Sequence, residues 1–149
     1  MNAYYADNNS VYNLDKAEKY YKEAAQMKSA EGFLNLGIVY EIRAEIDAGN
    51  IDLLLISKEY YSKAVSGVRN QYSATAYYKL GKLINNNPTF NKDKLIVNAL
   101  GKCQYANLAI ECFARSYLIF QDVKNNNDKL DGKHLKCFEE LTDIFKKIV

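Results

Sequence analysis

Cys103, Cys112, His134 and Cys137 are the side chains of this sequence best suited to bind a transition metal or to act as nucleophile and base. His134 and Cys137 stand three residues apart, a step that puts both on one face of a helix. Three thiols and one imidazole would complete a tetrahedral zinc site, yet the paired short spacings of zinc modules are absent. Cys112 sits beside Phe113 in a run with packing character, and Cys137 reads as a small core residue. No metal ion, no cofactor and no Cys–His nucleophile are therefore expected. The carboxylates Glu139 and Glu140, or Glu41 and Glu45, read as solvated-face residues or as partners of nearby Lys and Arg, in the manner of Glu18 and Lys22. A phosphate-cradling glycine loop, a serine nucleophile elbow and a dinucleotide fingerprint are all missing. With one histidine, the usual general base is nearly absent, and the expectation is a protein that is not an enzyme.

The elements that carry these residues read as helices. One proline and seven glycines in 149 residues disfavour a turn-rich sheet, and 48% hydrophobic residues supply a real core. A chain of this size buries roughly two-thirds of its unfolded surface in one domain. Twenty basic and eighteen acidic residues leave +2, spread without a block of one sign, so no nucleic-acid partner is expected. The run from Ile51 to Ser57, with Asp52 inside it, is too short to span a bilayer, and no export signal is visible. Three irregularly spaced cysteines suit reduced thiols, which points to the cytoplasm.

Two patterns recur in the same order. A small residue, an aromatic four positions on and a small residue three further give Ala17, Tyr21, Ala24, then Ser57, Tyr61, Ala64, then Ala109, Phe113, Ser116. An aromatic, Leu-Gly three later and a large apolar residue beyond give Phe33, Leu36, Gly37, Tyr40, then Tyr77, Leu80, Gly81, Ile84. A degenerate copy is Phe138, Leu141, Thr142, Phe145, with Thr in place of Gly. Steps of three and four place each set on one helical face. The spacing predicts helices near 14–27, 30–47, 52–67, 72–86, 104–123 and 132–148, with a short one near 92–101. They form three pairs, near 14–47, 52–86 and 104–148, in a single domain over 1–149, with an irregular insert at 87–103. Either Met1 to Asn13 is an irregular cap, or the chain is a piece of a longer array.

The stretch from Ala17 to Tyr40 resembles a Sel-like repeat, a relative of the tetratricopeptide repeat, and Ala74 to Ile84 resembles its second helix. The resemblance implies an all-α fold, a right-handed α-α superhelix of about three helix pairs, with the Leu-Gly helices on the concave side. It implies a scaffold that holds a peptide or partner helix there. The groove positions expected are Leu34, Ile38 and Glu41, then Tyr78, Lys82 and Asn85, then Glu139, Asp143 and Lys146. Alternative roles are a small secretion-type chaperone, or a structural subunit that contacts its assembly through Phe138, Phe145, Ile148 and Val149. In Tyr20-Tyr21, Tyr60-Tyr61 and Tyr77-Tyr78, one ring of each pair is expected to pack between helices and the other to lie at the edge.

Overall fold

Polar caps begin most of the helices. In the computed structural model, which describes residues 11–26, 28–126 and 129–148, these are α1 (Val11–Ala25), α2 (Ala30–Ile46), α3 (Ile51–Ala64), α4 (Gln71–Asn86), α5 (Lys94–Leu100), α6 (Leu108–Asn125) and α7 (Gly132–Ile148). A 3-10 turn, Pro88–Lys92, precedes α5, and no strand occurs among the described residues. Ser29, Asn50, Asn70, Asp93 and Asn107 each accept a hydrogen bond from a backbone N–H of the first turn that follows. Asn70 and Ser73 form a reciprocal capping box.

The fold is all-α, and the helices stand close to where their periodicity puts them. The expected 52–67 helix ends at Ala64, and the expected 104–123 helix starts at Leu108 because Asn107 caps it. Residues before Leu108 are held as a loop by Glu111, whose buried carboxylate accepts from the backbone N–H groups of Gln104 at 2.8 Å and Tyr105 at 3.0 Å. The reading of Met1 to Asn13 as a cap lies outside the described residues up to position 10; from Val11 the chain is already helical.

Two glycines explain how successive helices approach. A Cβ on Gly37 of α2 would lie at or inside 3.0 Å of the Tyr61 ring of α3, and one on Gly81 of α4 would lie 2.7 Å from the Phe113 ring of α6. The same contact is thus made twice, although the second interval contains the extra turn and α5. Buried hydroxyls seal both seams: Ser57 donates to the Gly37 carbonyl at 2.7 Å, and Ser116 to the Ala74 carbonyl at 2.6 Å. The core runs from α2 through α7, around Leu34, Tyr61, Leu80, Phe120 and Leu141. A smaller one, of Leu14, Ala17, Tyr21, Leu36 and Val39, fastens α1 to α2.

The insert is pinned to this frame. Lys58 on α3 pairs with Asp93 at 2.5 Å with both side chains largely buried, and its ammonium stands over the Phe90 ring. Asn91 accepts from the Leu108 N–H at 2.9 Å.

Candidate functional site

Helices α2, α4 and α7 border a groove of about 970 Å³ that α1 closes on one side. On α2 its wall is Glu31, Asn35, Ile38 and Ile42; on α4, Thr75, Tyr78, Lys79 and Lys82; on α7, Lys133, Lys136, Cys137 and Glu140. These positions fall on neighbouring turns of each helix, so each turns one continuous stripe inward. Asn35, Lys79 and Glu140 occupy equivalent places, two residues before Gly37, Gly81 and Thr142 respectively. The volume lies at the upper end of the range of ordinary ligand pockets. A second cleft of about 530 Å³, which includes Asn85, Asp143 and Ile144, shares Tyr78, Lys82 and Glu140 with the groove.

The floor is polar and mostly neutral. Thr75 Oγ1 and His134 Nδ1 share a 2.5 Å hydrogen bond, and the His134 ring meets Tyr72 edge-on at 5.1 Å. His134 is fully buried, and its Nε2 has no hydrogen-bond partner among the described residues. Burial, with Lys133 beside it, pushes the imidazole down to about 4, so the ring is neutral near physiological pH. Burial likewise raises the Cys137 thiol, which keeps it protonated. Tyr78 is buried and its hydroxyl donates to Glu140.

The rim is rich in lysine. Lys133 donates to Asn35 Oδ1 at 3.2 Å, and partial burial together with nearby Lys79 lowers its pKa. Lys82 lies over the Tyr78 ring, 5.5 Å from its centre. Lys79, Lys82, Lys133 and Lys136 form no ion pair with any described residue. Glu31 and Asp131 stand exposed at the same rim, the latter accepting from Gln71 at 3.0 Å.

No family model, curated protein or solved structure matches this chain significantly.

The positions expected to face the groove divide into several environments. Ile38, Tyr78 and Lys82 line it. Asn85 and Asp143 line the neighbouring cleft. Glu139 and Lys146 are exposed and border neither. Leu34 is fully buried in the core, because the α2 stripe that meets the groove is turned one residue further, onto Asn35. Glu41 is half-buried and accepts from the Tyr61 hydroxyl, and burial raises its pKa. Asn35, Thr75, Lys79, Lys133, Cys137 and Glu140 were not among the expected positions; the signal that finds three of them, Asn35, Lys79 and Glu140, is their shared place two residues before Gly37, Gly81 and Thr142.

The other chemically suggestive residues have structural surroundings. Tyr21, Tyr61 and Tyr77 are buried, while Tyr20 is exposed and Tyr60 half-buried; Tyr78 departs from the edge position by lying under the groove. Phe138 and Phe145 pack on Tyr117, with ring centres 5.5 and 5.2 Å away, so both belong to the α6–α7 contact and not to a free terminal face. The Ile148 side chain and Val149 lie outside the described residues. Glu18 pairs with Lys22 at 2.7 Å. Among the described residues no group of three or more His, Cys, Asp or Glu is arranged to hold a metal ion, and no helix is long and apolar enough to cross a membrane.

Proposed function

We propose that this chain is a non-enzymatic binding protein of the tetratricopeptide-like or Sel-like repeat kind, which holds a segment of a partner protein in the groove between α2, α4 and α7. The observation that carries this reading is the groove itself, where apolar Ile38 and Ile42 adjoin a lysine-bearing rim over a neutral floor. The repeat assignment is supported by the Gly37–Tyr61 and Gly81–Phe113 contacts, which set successive helices at close range in the same way. The non-enzymatic reading is supported by the neutral states of His134 and Cys137, which supply neither a poised base nor a thiolate. Free Cys103, Cys112 and Cys137 agree with a cytoplasmic location.

The test compares the intact chain with Ile38→Asp, a half-buried groove position, after circular dichroism shows equal helicity. A protein captured from native extract by the first and lost by the second supports groove binding. Equal capture by both would place the contact elsewhere and defeat the reading.

A further inference from the structure

The groove's charge specifies its occupant more narrowly than its shape does. Four lysines converge on it from two helices, Lys79 and Lys82 from α4 and Lys133 and Lys136 from α7, without an ion-pair partner among the described residues. Glu140, the acid nearest the middle of the α7 stripe, is engaged by the Tyr78 hydroxyl. Like charges brought together repel, and Lys79 adds to the burial that lowers the Lys133 pKa, against the opposing pull of Glu31. An anion placed between α4 and α7 would relieve that repulsion. The first turn of α7 borders the same place and contains no acidic residue, and Asp131 just before it is engaged by Gln71. His134 Nε2, a fully buried ring nitrogen of the groove wall, has no hydrogen-bond partner among the described residues and is a donor when Nδ1 accepts from Thr75.

We infer that the segment held in the groove carries side-chain carboxylates, which lie against Lys79 and Lys133 while an adjacent apolar residue contacts Ile38 and Ile42. This rests on the binding reading above and adds the chemistry of the partner. A continuous polyanion such as nucleic acid fits less well, since Glu31 and Asp131 stand at the same rim and would face its phosphates. A carboxylate with an apolar neighbour meets the lysines and avoids those acids.

The experiment selects binders from a phage-displayed random-peptide library on the purified full chain, then measures synthetic copies by fluorescence polarisation. Peptides that lose binding to Ile38→Asp are the groove ligands. Enrichment of Asp and Glu beside an aromatic or aliphatic residue is expected, with affinity that falls as salt is raised through the range where the Debye length shrinks to about 8 Å. Lys79→Gln with Lys133→Gln is expected to weaken them about tenfold. The pair Lys82→Glu with Lys136→Glu, both exposed, provides a second variant with a loss in the same direction. Groove ligands without acidic enrichment, or with salt-independent affinity, would overturn this inference and leave groove binding intact. Failure to recover any peptide sensitive to Ile38→Asp would defeat both. A random single-stranded oligonucleotide that binds more tightly than the peptides at physiological salt would also overturn it.

Discussion

Gly37 on α2 and Tyr61 on α3 are in such close contact that a methyl group on the glycine has no space, and the tyrosine hydroxyl is simultaneously tied to Glu41 one turn further along α2. The ring is fully buried, so it cannot swing toward solvent to make room. Overpacking of this kind costs about 1–3 kcal/mol, and the better helix propensity of alanine returns at most about 1. Gly37→Ala is therefore expected to lower stability by about 1–2 kcal/mol in urea unfolding. Gly81→Ala is expected to cost less, because Phe113 is held by no hydroxyl and is slightly more exposed. Combining Gly37→Ala with Tyr61→Leu should be less damaging than the sum of the two single changes. Additivity would show that the contact is not what sets the glycine.

That contact was legible as spacing: Leu-Gly followed by a small-aromatic-small trio already implies a helix that yields to a ring. The groove was legible only in part. Ile38 and Lys82 lie one residue after their glycines and do line it, but Leu34 and Glu139, three residues before Gly37 and Thr142, do not. A helix's rotation is set by what it packs against, and Leu34 rolls α2 until Asn35 takes the inward place. The meeting of Thr75 with His134 was equally out of reach, since it joins helices far apart in sequence and no spacing pairs the two residues.

Lys58 and Asp93 fasten the insert to α3, and Asp93 also caps α5. Burial alone would raise the Asp93 carboxyl, but the Lys58 ammonium and the Ile96 N–H outweigh it and hold the group below its usual range. Lys58→Met keeps an apolar stem against Phe90 while leaving the acid without its cation. The expected loss is about 2 kcal/mol, with faster amide hydrogen exchange confined at first to residues 88–100. Exchange that rises equally across all helices would contradict this local role.

Thiol chemistry gives an independent check of burial. Cys112 is fully buried and its thiol is pushed up to about 12 by that burial, Cys137 is raised for the same reason, and Cys103 is half-exposed. With a water-soluble thiol reagent, Cys103 is expected to react first under native conditions, Cys137 far more slowly from the groove wall, and Cys112 only at the rate of unfolding. Cys103→Ser should then remove the fast phase entirely; a remaining fast phase would mean that Cys112 or Cys137 is open to solvent.

The neutral His134 makes stability depend on pH. Its folded pKa is depressed from 6.5 to about 4 by burial and by Lys133, so between those values the unfolded chain holds a proton that the folded chain does not. Stability from this group is fully present above 6.5 and falls as pH drops through that window. The carboxylates held low, Glu18, Asp93 and Glu111, lose their contributions only further down, below their ordinary values of 4.5, 3.8 and 4.5. Glu41, raised by burial, acts with the opposite sign. Allowing for partial solvent screening, a loss of about 1–3 kcal/mol is expected between neutrality and about pH 4.5. His134→Gln retains an amide for Thr75 and removes the titrating group. Urea unfolding of the two proteins across this range should give a falling line for the intact chain and a much flatter one for the variant; parallel lines would locate the pH dependence elsewhere.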